Sequence, residues 1–400
     1  MPHTANLVSP EPGAAPLVQL QLVTTSVPQA TPSSDAGIRT AALKILRWAH
    51  THSLLSTEAY YPGDGFEPPV FDPAVTGEAL ALLRSKHIRF VGINPAGSQI
   101  IIYLQRVAPT AKQYDLLPKT VDGYELRFVQ GEPNGVNPQN VAEASDTSAL
   151  YTNAAGTAFY TCGSSISVGN SRAAGTLGCL LTDMAGKLYG LSNNHVSASC
   201  GYAPAGMPII APGVLDVHQF GPRPFTIGVH SRQLDLSFGD PSSVDTTQNQ
   251  DAAIFELVSP GMVSSMQRTH YDTPTTVGDM VPGMSVEKVG RTSDFTSGLV
   301  QSETVGPLGI SYAVAEYQFS GSAYLEPLFI VHGIGDRFSE GGDSGALVTH
   351  VDAAGVRTAV GIVVAGANDS KAPGGKLSFV MAIRPILEKL ALNLVSNHHV

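Results

Sequence analysis

The stretch EGGDSGALV, Glu340–Val348, places one serine among three glycines and an aspartate, directly before a run of apolar residues. A loop rich in Gly and Ser is usually an ordinary turn, and that explanation stands unless other segments of the chain supply chemistry. A serine hydroxyl is a weak nucleophile at neutral pH. It needs a neutral histidine to accept its proton, an acid to orient that histidine, and N–H groups to hold an oxyanion. Glycines suit such a loop because they let several N–H groups point at one spot.

A histidine and an aspartate lie upstream in contexts that fit these two roles. In LYGLSNNHVSAS, His195 directly follows an apolar strand, and in NQDAAIFEL, Asp251 opens another one. The order His195, Asp251, Ser344 is one of the chain orders found for triads that catalyse acyl transfer. Asp235 and Asp245 remain alternatives to Asp251, which we favour because it opens an apolar strand.

Composition and charge restrict the classes of protein that need to be considered. The chain has 400 residues, 43% of them hydrophobic and 14% charged, with 41 Gly and 28 Pro. This composition is typical of a soluble, turn-rich protein built from short strands. The net charge of −10 argues against a general nucleic-acid binder. No apolar run approaches the length of a membrane-spanning helix, and the N-terminus does not resemble a secretion signal.

Three cysteines are few for a secreted chain of this length, so we expect a cytoplasmic protein with free thiols. A pair between Cys162 and Cys179 is the alternative. The tail SNHHV is more typical of a solvated end than of a metal site.

The composition of the sequence and the pattern of its apolar residues predict five segments. Residues 1–35 are expected to be a disordered leader, 36–131 a small α+β domain, 132–156 a linker, 157–392 the domain that carries the motifs, and 393–400 a tail. From residue 157 onward, short apolar or alternating segments are separated by turn residues, which indicates an all-β barrel or sandwich. IRPILEKLALNL is predicted to close this domain as a helix.

Taken together, the motifs resemble the trypsin/chymotrypsin superfamily of serine proteases, over roughly residues 157–392. The segments that carry the resemblance are GTLGCLL at 175–181, LSNNHV at 191–196, DAAI at 251–254, KVGRTSDFTSG at 288–298, GGDSG at 341–345 and GIVVAG at 361–366. The resemblance, which is to the bacterial branch with an N-terminal extension, implies a mainly β fold. We expect a chymotrypsin-like double β-barrel with a C-terminal helix, preceded by the small α+β domain.

The resemblance also implies roles for individual residues. Ser344 would be the nucleophile, His195 the general base and acid, and Asp251 its orienting partner. The N–H groups of Gly342 and Ser344 would form the oxyanion hole.

Further residues are assigned to substrate binding by the same resemblance. The substrate backbone would pair with Val364, Ala365 and Gly366 as an added strand. Phe338 would form the floor of the primary pocket and favour small or apolar side chains, although His332 could also line that pocket. No IVGG-like start precedes the barrel, so Asp343 lacks the partner that a freed N-terminus gives it in zymogen-type relatives.

The sequence therefore predicts a cytoplasmic, trypsin-like serine endopeptidase, a hydrolase that works through an acyl-enzyme and needs no metal or cofactor. Its expected partner is a peptide or protein substrate, with no nucleic acid and no membrane, and the N-terminal domain could mediate homo-oligomerisation or bind a regulatory partner. One alternative is a catalytically silent scaffold with a protease fold that binds peptides or partner proteins. Another is a protease that cuts only its own chain near residues 132–156.

Overall fold

Short apolar segments bounded by turn residues form strands along most of the chain. The computed structural model describes residues 35–141, 149–219 and 223–400. In these parts the helices are α1 (Asp35–Thr51), α2 (Gly77–Lys86), α3 (Ala111–Tyr114), α4 (Asn194–Ser197) and α5 (Ile383–Leu390).

The strands before residue 250 are β1 (Phe71–Asp72), β2 (Ile88–Asn94), β3 (Gln99–Leu104), β4 (Thr120–Val121), β5 (Tyr124–Gln130), β6 (Glu132–Pro133), β7 (Leu150–Thr152), β8 (Ala158–Cys162), β9 (Ser165–Val168), β10 (Gly175–Thr176), β11 (Cys179–Thr182), β12 (Leu188–Ser192), β13 (Pro208–Ala211) and β14 (Phe225–Gln233). The later strands are β15 (Ala253–Leu257), β16 (Val263–Gln267), β17 (Tyr271–Asp272), β18 (Ser285–Gly290), β19 (Asp294–Thr304), β20 (Leu308–Val314), β21 (Phe319–Leu325), β22 (Phe329–Gly333), β23 (Leu347–Val351), β24 (Arg357–Asn368), β25 (Lys376–Ala382) and β26 (Asn393–Leu394).

The first β-sheet of the motif-bearing region has the strand order β10-β9-β13-β14-β15-β12-β11-β26, and neighbouring strands pair antiparallel. One of its faces packs into a cluster of buried apolar side chains that includes Ile166, Leu180, Ile227 and Phe255. Strands β12 and β15 lie inside this sheet, with a neighbour on each side, and this buried position explains why both are apolar. The ends of these two strands carry the candidate histidine and aspartate.

The second sheet closes into a ring of six strands. Strands β19, β18, β23, β24, β25 and β22 follow one another, and β22 pairs back with β19. The ring encloses a cluster of apolar side chains that includes Val286, Val331, Val348 and Val380. Closure gives each strand of the ring two neighbours, although β24 extends past its last paired residue with β23, Ile362.

The N-terminal strands continue this second sheet. They follow the order β1-β4-β5-β3-β2, with β3 and β5 parallel, and β2 pairs with the end of β19 at Glu303 and Thr304. Helix α1 buries the face formed by Ile38, Ala41, Ala42, Ile45, Leu46 and Ala49 in the adjoining apolar cluster. The helical spacing of these residues is the pattern expected of a helix packed on a sheet.

The mainly β fold with a C-terminal helix is confirmed. Helix α5 ends at Leu390, earlier than the predicted helix, and the chain then adds β26 to the first sheet beside β11. The predicted leader lies outside the described residues except for Asp35, where α1 begins. The predicted linker contains β6 and β7, and its residues 142–148 also lie outside the described parts. Among the described helices, none has both the length and the apolar character that spanning a membrane requires.

Candidate active site

The pairing of β12 with β15 brings His195 and Asp251 together. Ser192, the last residue of β12, lies opposite Ala253, the first residue of β15. The one-turn helix α4 begins just after β12 and carries His195, whereas Asp251 lies just before β15. Two positions 56 residues apart in sequence therefore meet at one edge of the first sheet.

Asp251 holds His195 through two contacts. His195 Nδ1 lies 2.6 Å from Asp251 Oδ2, and the backbone N–H of His195 donates to Oδ1 at 3.0 Å. The Asp251 side chain is fully buried and His195 is 2% exposed. A carboxylate at Nδ1 favours the tautomer that carries its proton there, which leaves Nε2 as the acceptor. The alternatives Asp235 and Asp245 are both exposed, and neither contacts His195 in the described residues.

Tyr312 supplies a third hydrogen bond to Asp251. Its hydroxyl donates to Oδ2 at 3.1 Å, and its ring centroid lies 5.8 Å from that of His195. Burial and the nearby Asp251 charge raise the pKa of Tyr312 well above its usual range, so the phenol stays protonated and can donate. Tyr312 belongs to β20, part of a separate hairpin, and no motif in the sequence pointed to it.

Ser344 lies in the loop that leads into β23. Its carbonyl accepts from the N–H of Thr176, and its hydroxyl donates to the carbonyl of Val364 at 3.2 Å. Ser344 and His195 line the same cavity, which has a volume of about 300 Å³. Within the described parts no hydrogen bond joins them, so the serine hydroxyl points to β24 rather than to the imidazole.

The loop before Ser344 holds Gly342 in a backbone conformation that favours glycine. Gly342 has φ of +101°, and a Cβ there would lie 2.4 Å from Thr292 Oγ1, so a larger residue would be strained and would clash. In the described residues, neither the N–H of Gly342 nor that of Ser344 donates to a protein acceptor. Both donors therefore remain available for a negatively charged oxygen.

Lys288 is the buried partner that the sequence analysis did not find for Asp343. Lys288 Nζ lies 3.1 Å from Asp343 Oδ2, and both side chains are fully buried. Asp343 also accepts from the N–H groups of Thr292 at 2.7 Å and Ser293 at 3.1 Å on Oδ1, and from that of Glu340 at 3.0 Å on Oδ2. These contacts tie the loop before Ser344 to the hairpin of β18 and β19.

The balance of forces on Asp343 favours its ionised form. Burial alone would raise the pKa of Asp343, but the Lys288 ammonium and the hydrogen bonds outweigh it and hold that pKa below its usual range. The sequence did contain a signal, because the charged Lys288 lies two residues after Val286 and directly before Val289 in the strand SVEKVG. Arg291 of the same segment pairs with Asp216, with 2.8 Å between Nε and Oδ2.

Only some of the residues predicted to bind substrate line the cavity. Ala365 and Gly366 line the cavity. Val364 is fully buried and contributes its carbonyl to the Ser344 contact. Phe338 is 1% exposed, packs inside the six-stranded ring and is not among the described residues that line the cavity. Its role as a pocket floor stays a prediction, as does that of His332, which is also absent from the lining.

The cavity has a wall that the sequence analysis assigned to a linker. Asn134, Gly135, Val136, Asn137 and Pro138 line it, as do Ser344 and Gly342. Because this segment contains Pro, Gly and Asn, its composition indicated only irregular structure. Among the described residues, no group of three or more His, Cys, Asp or Glu side chains is placed to hold a metal ion.

Comparison with known proteins gives a likeness in structure only. No protein-family profile matches the chain, and no curated protein matches it. Thermobifida fusca Protease A is 17% identical with a TM-score of 0.37, and the match covers 59% of this chain and 98% of that one. A glutamic-acid-specific serine protease with a histidine triad for substrate binding is 17% identical, with a TM-score of 0.38 and coverage of 59% and 100%. An alpha-lytic protease homolog, N4, is 18% identical, with a TM-score of 0.38 and coverage of 59% and 98%.

All three solved structures are described as proteases, and the chain is similar to each of them over about three fifths of its length. At these identities and TM-scores, function has to be argued from the geometry of the site.

Proposed function

We propose that the protein is a serine peptidase that hydrolyses peptide bonds through an acyl-enzyme. The observation that carries the proposal is the buried contact of 2.6 Å between His195 Nδ1 and Asp251 Oδ2, at a cavity that Ser344 also lines. A buried carboxylate that orients a histidine beside a candidate nucleophile is the arrangement that activates a serine hydroxyl.

The proposed reaction has two halves. Ser344 Oγ bonds to the carbonyl carbon of the substrate while its proton passes to His195 Nε2, and the same proton then goes to the leaving amine as the C–N bond breaks. Water, deprotonated by His195, next attacks the acyl-enzyme, which releases the acid and returns the proton to Ser344. Asp251 keeps the imidazole oriented and stabilises its charged form, and the N–H groups of Gly342 and Ser344 hold the oxyanion.

Attack requires a rotation of the serine side chain. The hydroxyl now donates to the Val364 carbonyl at 3.2 Å, so it has to turn toward His195 before it can lose its proton. A change of side-chain rotamer in a cavity is fast compared with chemistry. The starting geometry is therefore compatible with the proposed reaction.

The test is substitution of Ser344→Ala, with hydrolysis of casein and of a peptide library as the readout. Activity should fall to the background of the assay, and a fluorophosphonate probe should label the wild-type chain on Ser344 alone. The matched control is Ser242→Ala, a serine in an exposed turn, which should keep both labelling and hydrolysis. Hydrolysis that survives Ser344→Ala would overturn the proposal.

A silent scaffold with a protease fold is the second candidate, and the Ser344–Val364 hydrogen bond favours it because it points the hydroxyl away from His195. The probe separates the two functions: a scaffold that cannot turn Ser344 would stay unlabelled while still binding peptides. Self-cleavage near residues 132–156 stays a prediction, which intact mass after incubation would test.

A further inference from the structure

The edge of β24 that is expected to bind a substrate backbone already carries a strand of this chain. Glu132 and Pro133 of β6 pair antiparallel with Asn368 and Ala367 of β24. The N–H of Asn134 then donates to the carbonyl of Gly366 at 2.8 Å. We call residues 132–136 the internal strand. It uses a hydrogen-bonding group of Gly366 that an added peptide strand would need.

The internal strand is anchored at its start by a buried cation. The Glu132 carboxylate lies 3.5 Å from Nε of Arg89, which is 2% exposed. The other N–H groups of Arg89 donate to the backbone of Gly309 at 2.8 Å and to Glu58. The contact with Glu132 is an ion pair only, because neither Arg89 Nε nor Glu132 Oε2 makes a hydrogen bond among the described residues.

The far end of the internal strand is fixed by the β20 hairpin. The N–H of Val136 donates to Ser311 at 2.7 Å, and its carbonyl accepts from Ala313 at 3.0 Å. Val136 is 9% exposed and belongs to the main apolar cluster. Just beyond it, the carbonyl of Pro138 accepts from Ala174. A segment held in this way is part of the fold and not a loosely attached peptide.

The register of the internal strand decides how much of the edge stays open. Continued past Asn134, it would place Gly135 opposite Ala365 and Val136 opposite Val364. Val136 turns to β20 instead, and the Val364 carbonyl accepts the Ser344 hydroxyl. The open edge next to the nucleophile is therefore Val364 and Ala365, two residues long.

We propose that the internal strand limits the substrate to one or two residues on the N-terminal side of the reacting bond. A longer chain would have to continue along Gly366, where the internal strand already lies. The cavity of about 300 Å³ also fits a short acyl group, since it is at the lower limit for small-molecule sites. This inference rests on the proposed peptidase chemistry and narrows the predicted endopeptidase to substrates cleaved close to their N-terminus.

The experiment uses the full chain and a series of N-acetylated alanine thioesters that carry one, two, three or four alanines. We expect kcat/KM to be highest for one or two alanines and at least tenfold lower for three and four. A kcat/KM that rises with the third and fourth alanine would overturn the proposal, because it would mean that Gly366 is free to pair with substrate.

Two variants of one residue provide the matched control. Asn134→Pro removes the N–H that donates to Gly366 and should raise the ratio of long-substrate to short-substrate kcat/KM at least tenfold. Asn134→Ala keeps that N–H and should retain the wild-type ratio. Equal ratios in the two variants would contradict the proposal, and if Asn134→Pro does not fold, the alanine series on the wild-type chain decides alone.

Binding separates this inference from the proposed function. Peptides of two and four alanines are titrated into the Ser344→Ala variant, where no turnover is needed. If the wild-type chain hydrolyses no substrate, the peptidase proposal fails. Weaker binding of the longer peptide would still support the inference that the internal strand occupies the edge of β24. Tighter binding of the longer peptide would overturn it.

Discussion

Two buried aspartates, Asp251 and Asp343, lie within the candidate site and use their charge in different ways. Neither side chain is exposed, and each accepts several hydrogen bonds. Asp251 faces His195, a histidine that lines the cavity. Asp343 faces Lys288, an ammonium group with no solvent exposure that is not among the described residues lining the cavity. The comparison teaches that burial alone does not distinguish the two aspartates, whereas the chemistry of their partners does.

If Asp251 serves the chemistry, Asp251→Asn should have the largest effect on rate. The amide keeps the shape but offers an N–H to the imidazole, which favours the wrong tautomer, so kcat should fall by about 10⁴-fold. Steady-state hydrolysis of a peptide substrate measures this. Asp245→Asn, at an exposed alternative, should stay within about twofold of wild type, as is usual for surface changes. A similar loss of kcat in both variants would mean that the effect does not depend on the contact between Asp251 and His195.

If the role of Asp343 is to order the loop before Ser344, Lys288→Met should mainly lower the free energy of unfolding. The change leaves an unpaired carboxylate in the interior, which costs about 3–5 kcal/mol of unfolding free energy. Denaturant unfolding measures the loss. Lys187→Met, which breaks an ion pair whose side chains are 46% and 36% exposed, should cost no more than about 1 kcal/mol.

The pH dependence of stability sharpens the same test. Because the pKa of Asp343 is lowered in the fold, its contribution is present above the unfolded pKa of about 3.9 and is lost as the pH falls through the lower, folded value. Without Lys288, burial pushes that pKa upward, so protonation removes an unpaired charge from the variant, and its deficit in unfolding free energy relative to wild type should shrink as the pH falls. Identical acid unfolding of the two proteins would contradict this role for the ion pair.

The smallest expected effect is that of Tyr312→Phe, which removes one donor from Asp251 and keeps the ring. We expect kcat to fall roughly tenfold with little change in KM, since a hydrogen bond to a charged group is worth about 1.5–3 kcal/mol. Tyr103→Phe removes another buried phenol, one that bonds to Ser302 at 2.7 Å, and serves as the control for stability. If both variants lower kcat equally, Tyr312 has only a structural role.

The sequence could predict the parts of the site that lie in local motifs. His195, Asp251 and Ser344 each adjoin an apolar strand, so their positions at strand ends could be deduced. Tyr312 could not, because its contact with Asp251 joins positions 61 residues apart on different sheets. The internal strand was missed for another reason: Pro, Gly and Asn indicate turns, and only the tertiary pairing with Gly366 gives the segment an extended role.

The join between β2 and β19 has a practical consequence for work with shortened chains. Val305 packs among the N-terminal apolar residues, and its N–H donates to Val91 at 2.9 Å. A chain cut down to the barrels would leave this apolar surface and the end of β19 open to solvent, where a second molecule could pair with them. Truncation would therefore promote self-association, and single substitutions in the intact protein are the cleaner way to assign roles.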